Sequence, residues 1–163
     1  MSNTFELLKK QFELVKASRD VIFQYCEKIS PKDYLKEVDG FGRGSIRSTQ
    51  AHIGRSYIFW LAEFGMKRQI SYPPYDSYKN LNDVRRLFEN VNEVVTEFLN
   101  RFENRIDEKI SGRVTQINKE LTVPALQLFT HVITHEFHHK GQIMSMSRIL
   151  GYTPPDADII RFT

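Results

Sequence analysis

Apolar side chains return at every third or fourth position through four long stretches of the chain, and each stretch ends at residues that stop a helix. In the first, Phe5, Leu8, Phe12, Val15, Ile22, Tyr25 and Ile29 fall on one side of a helix predicted over residues 4–28, with Thr4 as its cap. Ser30-Pro31 closes it, because proline has no amide hydrogen to donate and restricts the residue before it. Residues 31–44 contain Gly40, Gly42 and Gly44 and read as a loop. Three glycines this close could cradle a phosphate, but no lysine-serine pair or strand-to-helix context accompanies them, so a flexible connection is expected.

Ser45 caps a second predicted helix reaching to about Lys67, with Ile46, Ile53, Tyr57, Trp60 and Phe64 on its apolar stripe. His52 falls about 100° from that stripe, at its flank. The segment QISYPPYDSYKN follows, and Pro73 and Pro74 make it a crossover long enough to pass a bundle end. A third helix fits residues 81–103, where Val84, Leu87, Phe88, Val91, Val94, Val95, Phe98 and Phe102 keep helical spacing. Between Asn104 and Thr122, SGRVTQINKELTV alternates enough for a short hairpin and Gly112 weakens a helix, so this stretch is expected to be irregular with some strand. A fourth helix is predicted from Thr122 as cap, with Pro124 in its first turn, to Leu150. Gly151 is its left-handed stop, and Pro154 and Pro155 bar its resumption. Four such helices bury their apolar faces most simply against one another. The expected fold is therefore all-α, a four-helix bundle with a long crossover between helices 2 and 3, forming one domain over residues 1–163.

Composition narrows the function classes. The 163 residues are 40% hydrophobic and 26% charged, enough for one core. Charged residues break every apolar run well short of the roughly 18–20 residues a membrane span needs, so no membrane partner is expected. The opening MSNTFELLKKQ lacks the basic start and apolar stretch of a secretory signal, and a cytoplasmic location is the expectation. With 23 Lys+Arg against 20 Asp+Glu the formal net charge is +3, and the basic residues are scattered among acids rather than clustered. That argues against a nucleic-acid partner. The single cysteine, Cys26, can make no internal disulfide and reads as a buried apolar residue. Metal chemistry would have to run through imidazole and carboxylate.

Four of the five histidines lie in the string HVITHEFHHKGQI of the fourth predicted helix. At about 100° per residue, His131, His135 and His139 share one face with Gln142 and Met146, and His138 sits at its edge. Two imidazoles four residues apart on a helix can hold one divalent ion at metal–nitrogen distances of about 2.0–2.1 Å. His135 with His139 and His131 with His135 both have this spacing, and spacing alone does not choose. The plain alternative is that these are solvent-exposed or hydrogen-bonded helix residues. A third ligand has to come from another element, and His52 on the second predicted helix is the remaining histidine. His135, Glu136 and His139 also satisfy H-E-x-x-H, the zinc-metalloprotease signature whose glutamate is the general base. However, no Glu or His follows His139, Gly141 and Ser145 break the extended pattern, and only Asp156 and Asp158 remain downstream. A metalloprotease-like hydrolase is therefore the third-ranked reading.

Other residues qualify as supporting groups. His131 and Gln142 share the histidine face and are placed to orient a ligand or a water. Arg55, within a turn of His52, is placed either to meet the carboxylate of a peptide-like thiol or to form a surface ion pair. Phe59 and Trp60 would line a pocket or fill the core.

Taken together, AHIGRSYIFWL, THEFHHKGQI and LGYTPPDADII resemble the DinB/YfiT-like family of small metal-binding four-helix bundles, over nearly the whole chain. HHKGQI resembles that family's H-H-[RK]-G-Q ending, and the glycine followed by two prolines and an aspartate resembles its tail. The resemblance implies that His52, His135 and His139 ligate a divalent ion, zinc or nickel foremost, with water or substrate completing the shell. It also implies a thiol (S-)transferase that uses a low-molecular-weight thiol, such as bacillithiol, mycothiol or glutathione, on a small electrophile. A noncatalytic, stress- or damage-induced metal-binding protein is the alternative the same family contains. Neutral imidazoles leave the ion's charge intact, so an open position would favour the anion of a thiol or water near neutral pH. Pairing of two chains through an apolar helix face is a further expectation.

Overall fold

Burial of the four apolar stripes sets the architecture, which the computed structural model describes for residues 3–162. Helix α1 (Asn3–Cys26) is followed by a short α2 (Pro31–Leu35) and by α3 (Ile46–Tyr57), which widens into a π-helical stretch over Ile58–Gly65. Then come α4 (Leu81–Arg101), strands β1 (Lys109–Val114) and β2 (Lys119–Pro124), and α5 (Ala125–Ile149). The structure is mostly helical, in rough agreement with the all-α expectation, with one small antiparallel sheet in the stretch where some strand was expected. Among the described residues, no helix is long and apolar enough to cross a membrane.

The element boundaries differ from expectation for local reasons. The stretch over 31–44 is not all loop. Ser30 accepts a hydrogen bond from the Asp33 amide and Pro31 takes the first helical position, a start signal that makes α2. Thr4 is not a cap, because α1 already includes Asn3. Thr122 is not a cap either: it pairs with Ser111 in the hairpin, hydroxyl to hydroxyl at 2.8 Å, and α5 starts only after Pro124. The stop at Gly151 is as expected, with φ +93°.

Close helix approach in the bundle requires two glycines. A Cβ on Gly54 would sit 2.7 Å from Leu87 of α4, and one on Gly65 would sit 2.8 Å from Phe98. The crossover between the π stretch and α4 is fastened rather than free. Arg47 donates to the carbonyls of Tyr75 and Tyr78 at 3.0 and 2.9 Å, Arg55 to that of Pro73 at 3.2 Å, and Tyr72 donates to Glu63 at 2.7 Å. The tail is fastened too, since Tyr152 donates to Asp33 at 2.7 Å.

The apolar stripe of α1 breaks between Val15 and Ile22, and in the gap Ser18 and Arg19 are buried. Arg19 donates through Nε and Nη2 to the two carboxylate oxygens of Glu136 at 2.9 and 2.8 Å, and through Nη1 to Asn92 at 2.9 Å. Tyr57 donates to Glu136 at 2.6 Å, and Lys140 lies 3.3 Å from it. Lys140 also donates to Ser18, which donates to the Ala157 carbonyl. One polar cluster thus ties α1, α3, α4, α5 and the tail. Burial pushes the Glu136 carboxyl upward, but Arg19, Lys140 and Tyr57 outweigh it and hold the pKa at about 2.

Removing one partner of such a pair strands the other charge, so Arg19→Met is expected to destabilise by about 3–5 kcal/mol, measured as a fall in the urea midpoint. The carboxyl is depressed on folding, so its stability contribution is full above the ordinary glutamate value of 4.5 and is lost as pH falls toward about 2. The stability gap between wild type and Glu136→Gln should therefore narrow between pH 7 and pH 3.

Candidate functional site

His52 projects from α3, and His131, His135 and His139 project from α5 on three successive turns of one face. The bundle packs these helices together so that His52 Nε2 lies 3.2 Å from His135 Nε2, and His139 Nε2 lies 3.1 Å from the same atom. His52, His135 and His139 offer one ligand atom each within 4.8 Å of one another, a group that can hold a metal ion. Three nitrogens converging on one point from two helices is the arrangement that i, i+4 spacing alone left open.

The rings are in the protonation state a metal ligand needs. Burial lowers the pKa of His52 to about 3, helped by the charge of Arg43 and by the neighbouring rings. Burial likewise lowers His135 to about 4, with His139 and His131 adding to it. His139 is lowered by burial against the opposing hydrogen bond from Gln142. All three rings are therefore neutral near pH 7, the state a metal needs. His139 Nδ1 faces the Gln142 side-chain oxygen at 2.7 Å. That oxygen only accepts, so the ring proton sits on Nδ1 and Nε2 presents a lone pair to the cluster. A neutral ring offers one proton, and the buried Nδ1 of His135 has no partner. His135 Nε2 meets two other ring nitrogens but can donate one proton at most, so hydrogen bonds alone do not satisfy the three converging Nε2 atoms, whereas one cation would. Nitrogen separations of 3.1 and 3.2 Å are close to the roughly 3.3 Å between ligands about 2.0 Å from a tetrahedral ion.

The other sequence candidates divide. Gln142 orients His139 as expected and also contacts exposed His138 at 3.3 Å. His131 stays outside the triad, its ring 5.6 Å from that of His135 and stacked edgewise on Trp60 at 5.1 Å. The π-helical widening of α3 carries Trp60 and Phe59, both half-buried, to the rim of the histidine face. Among the described residues Arg55 makes no ion pair, and it bears on the cluster only through its charge on His52. Its guanidinium lies over the rings of Tyr75 and Tyr72 at 4.1 and 5.0 Å and holds the crossover. Glu136 is not available as a general base, being 1% exposed and held by Arg19, Tyr57 and Lys140. The H-E-x-x-H resemblance is therefore one of spacing only.

Two contributors were missed from sequence. Tyr75 brings its hydroxyl to 3.5 Å from His52 Nδ1, fixing the outer side of that ring. Arg43, on the glycine-rich loop, lowers the pKa of all three clustered histidines through space. The polar aromatic crossover was a faint signal for the first. Nothing local signalled the second.

The family model of the DinB family matches the chain over residues 1–163. The crystal structure of a DinB-like protein from Bacillus subtilis superposes with a TM-score of 0.56 at 20% identity, covering 90% of this chain and 97% of that one. At that identity the likeness speaks to the fold alone. No curated protein matches the chain.

Cys26 is not part of the cluster; it is buried, and burial pushes its thiol up to about 12 against the hydrogen bond from Gln50. The native protein should therefore resist iodoacetamide at pH 8 and react fully once denatured, with mass spectrometry reading the adduct.

Proposed function

The chain belongs to the DinB family, and from that premise we propose that it is a metal-dependent enzyme in which His52, His135 and His139 ligate a divalent ion, zinc or nickel. In this reading the site activates a low-molecular-weight thiol, or water, for attack on a small electrophile, and thiol transfer is the reaction class. The observation that carries it is the meeting of three neutral ring nitrogens from α3 and α5. A divalent ion held there supplies positive charge that brings the pKa of a coordinating thiol or water toward neutrality.

The remaining roles belong to the chain's own residues. Gln142 keeps the His139 proton on Nδ1, so the opposite nitrogen faces the cluster. Tyr75 stands on the outer nitrogen of His52. His52 and His135 are half-buried, leaving the cluster approachable from one side, whereas a purely structural shell is closed by protein. Trp60 and His131 form an aromatic shoulder beside that approach where an electrophile can lie. With Cys26 buried and held as a neutral thiol, the reacting thiol has to come from solution. A noncatalytic stress protein that only retains the metal is the competing reading, and the buried polar cluster behind α5 would serve it equally well.

Metal analysis of untagged protein is expected to give one ion per chain in wild type and a loss of at least tenfold in affinity for His52→Ala. Full stoichiometry in that variant would remove the triad. Cobalt-substituted protein titrated with glutathione and with 2-mercaptoethanol is expected to develop a thiolate-to-metal charge-transfer band. Unchanged spectra with both thiols would favour the noncatalytic reading.

A further inference from the structure

Between α3, α4 and the crossover lies a cleft of about 380 Å³ that the histidine cluster does not use. Its volume is within the range of small-molecule pockets, roughly 300–1,000 Å³. Ile58, Ala62, Leu87 and Val94 give it an apolar floor, and Tyr72 and Tyr78 of the crossover form its aromatic wall. Three arginines, Arg55, Arg68 and Arg86, also line it.

Their partners differ in kind. Arg68 pairs with Glu97 and Arg86 with Asp83. Both arginines are substantially exposed, so these pairs are worth only about 0–1 kcal/mol and can be exchanged at little cost. Asp83 also lines the cleft, but its carboxylate accepts from the amides of Lys79 and Asn80 as part of the α4 cap. Arg55 is the exception: among the described residues it meets no carboxylate within ion-pair distance. Its contacts are the Pro73 carbonyl at 3.2 Å and the faces of Tyr75 and Tyr72. A planar fork of donors beside an apolar floor complements a carboxylate on an apolar body. The fork gives two parallel charge-assisted bonds, and the body buries against aliphatic and aromatic carbon.

We propose that this cleft binds a small monocarboxylate carrying an apolar chain or ring, with Arg55 as the anchor and Arg68 and Arg86 closing on the anion. The assignment does not depend on the metal reading. Arg55 nevertheless connects the two places, because the Tyr75 ring it stacks on also reaches His52.

Octanoate is a suitable probe, with 1-octanol as a neutral control of equal chain length. Titration of the full-length protein is followed by amide nitrogen–proton spectra, once after chelator treatment and once loaded with zinc. Octanoate is expected to shift amides in the crossover and in the facing part of α4, with the same affinity in both preparations. Octanol is expected to bind about tenfold or more weakly, the loss of one charge-assisted interaction. Arg55→Gln should weaken octanoate by a similar factor. Arg86→Gln, a substitution at an exposed position that leaves the core untouched, should weaken it a few-fold. Equal affinity for octanoate and octanol, unchanged affinity in both variants, or no binding at millimolar octanoate would overturn the proposal. So would binding confined to the zinc-loaded protein with shifts centred on residues 131–142, because that places the carboxylate at the histidines.

Discussion

Glu136 is next to His135 in sequence and about 100° from it around α5. Its carboxylate receives two bonds from Arg19 of α1 and one from Tyr57 of α3, with Lys140 alongside. With the carboxylate 1% exposed, α5 cannot rotate without pulling that charge away from its partners into hydrocarbon. The rotation of α5 is thereby fixed, and with it the direction in which His135 and His139 point. Tyr57 belongs to the same helix as His52, so the contact that orients α5 also sets its relation to α3. The motif's glutamate acts on the histidines through geometry and has no access to their chemistry.

On the neighbouring histidine face of α5 the balance of forces reverses. The polar cluster around Glu136 is internally satisfied, whereas the imidazoles crowd one another, stay neutral because burial outweighs protonation, and bring two ring nitrogens against His135 Nε2, which can donate one proton at most. A saturated charge network on one side and an unsaturated nitrogen cluster on the other are a reasonable division between holding a fold and holding a ligand. The crossover completes the frame. Arg47 and Arg55 fasten it at five carbonyl or ring contacts, and it lends Tyr75 to His52 while walling the cleft beside α4 with Tyr72 and Tyr78.

Much of this was legible from the sequence. The stripe of α4 from Val84 to Phe102 predicted its element within two residues, because eight apolar positions in helical register leave no other economical burial. The hairpin was weakly signalled: its burial alternates in β1, where Ile110 and Val114 point inward, but β2 is mostly exposed and carries little pattern. Thr122 and Pro124 looked like a helix start because capping chemistry is local, and cross-strand pairing with Ser111 overrode it. Arg19 carried no motif that marked it in the sequence. Its position in the gap of the α1 stripe, where an apolar residue was due, was the available sign that a buried acid awaited it.

The sequence by itself determined the four long helices, the proline-bounded crossover and the histidine face of α5, since periodicity, caps and breakers act within a few residues of chain. Only the tertiary structure decided which histidine pair the third ring joins, that Glu136 turns inward, that Arg55 holds the crossover, and that Arg43 and Tyr75 bear on the cluster. Each of those depends on side chains brought together from distant parts of the chain. Their direction and burial are set by how helices pack, and spacing along one helix carries no information about the partner across the bundle.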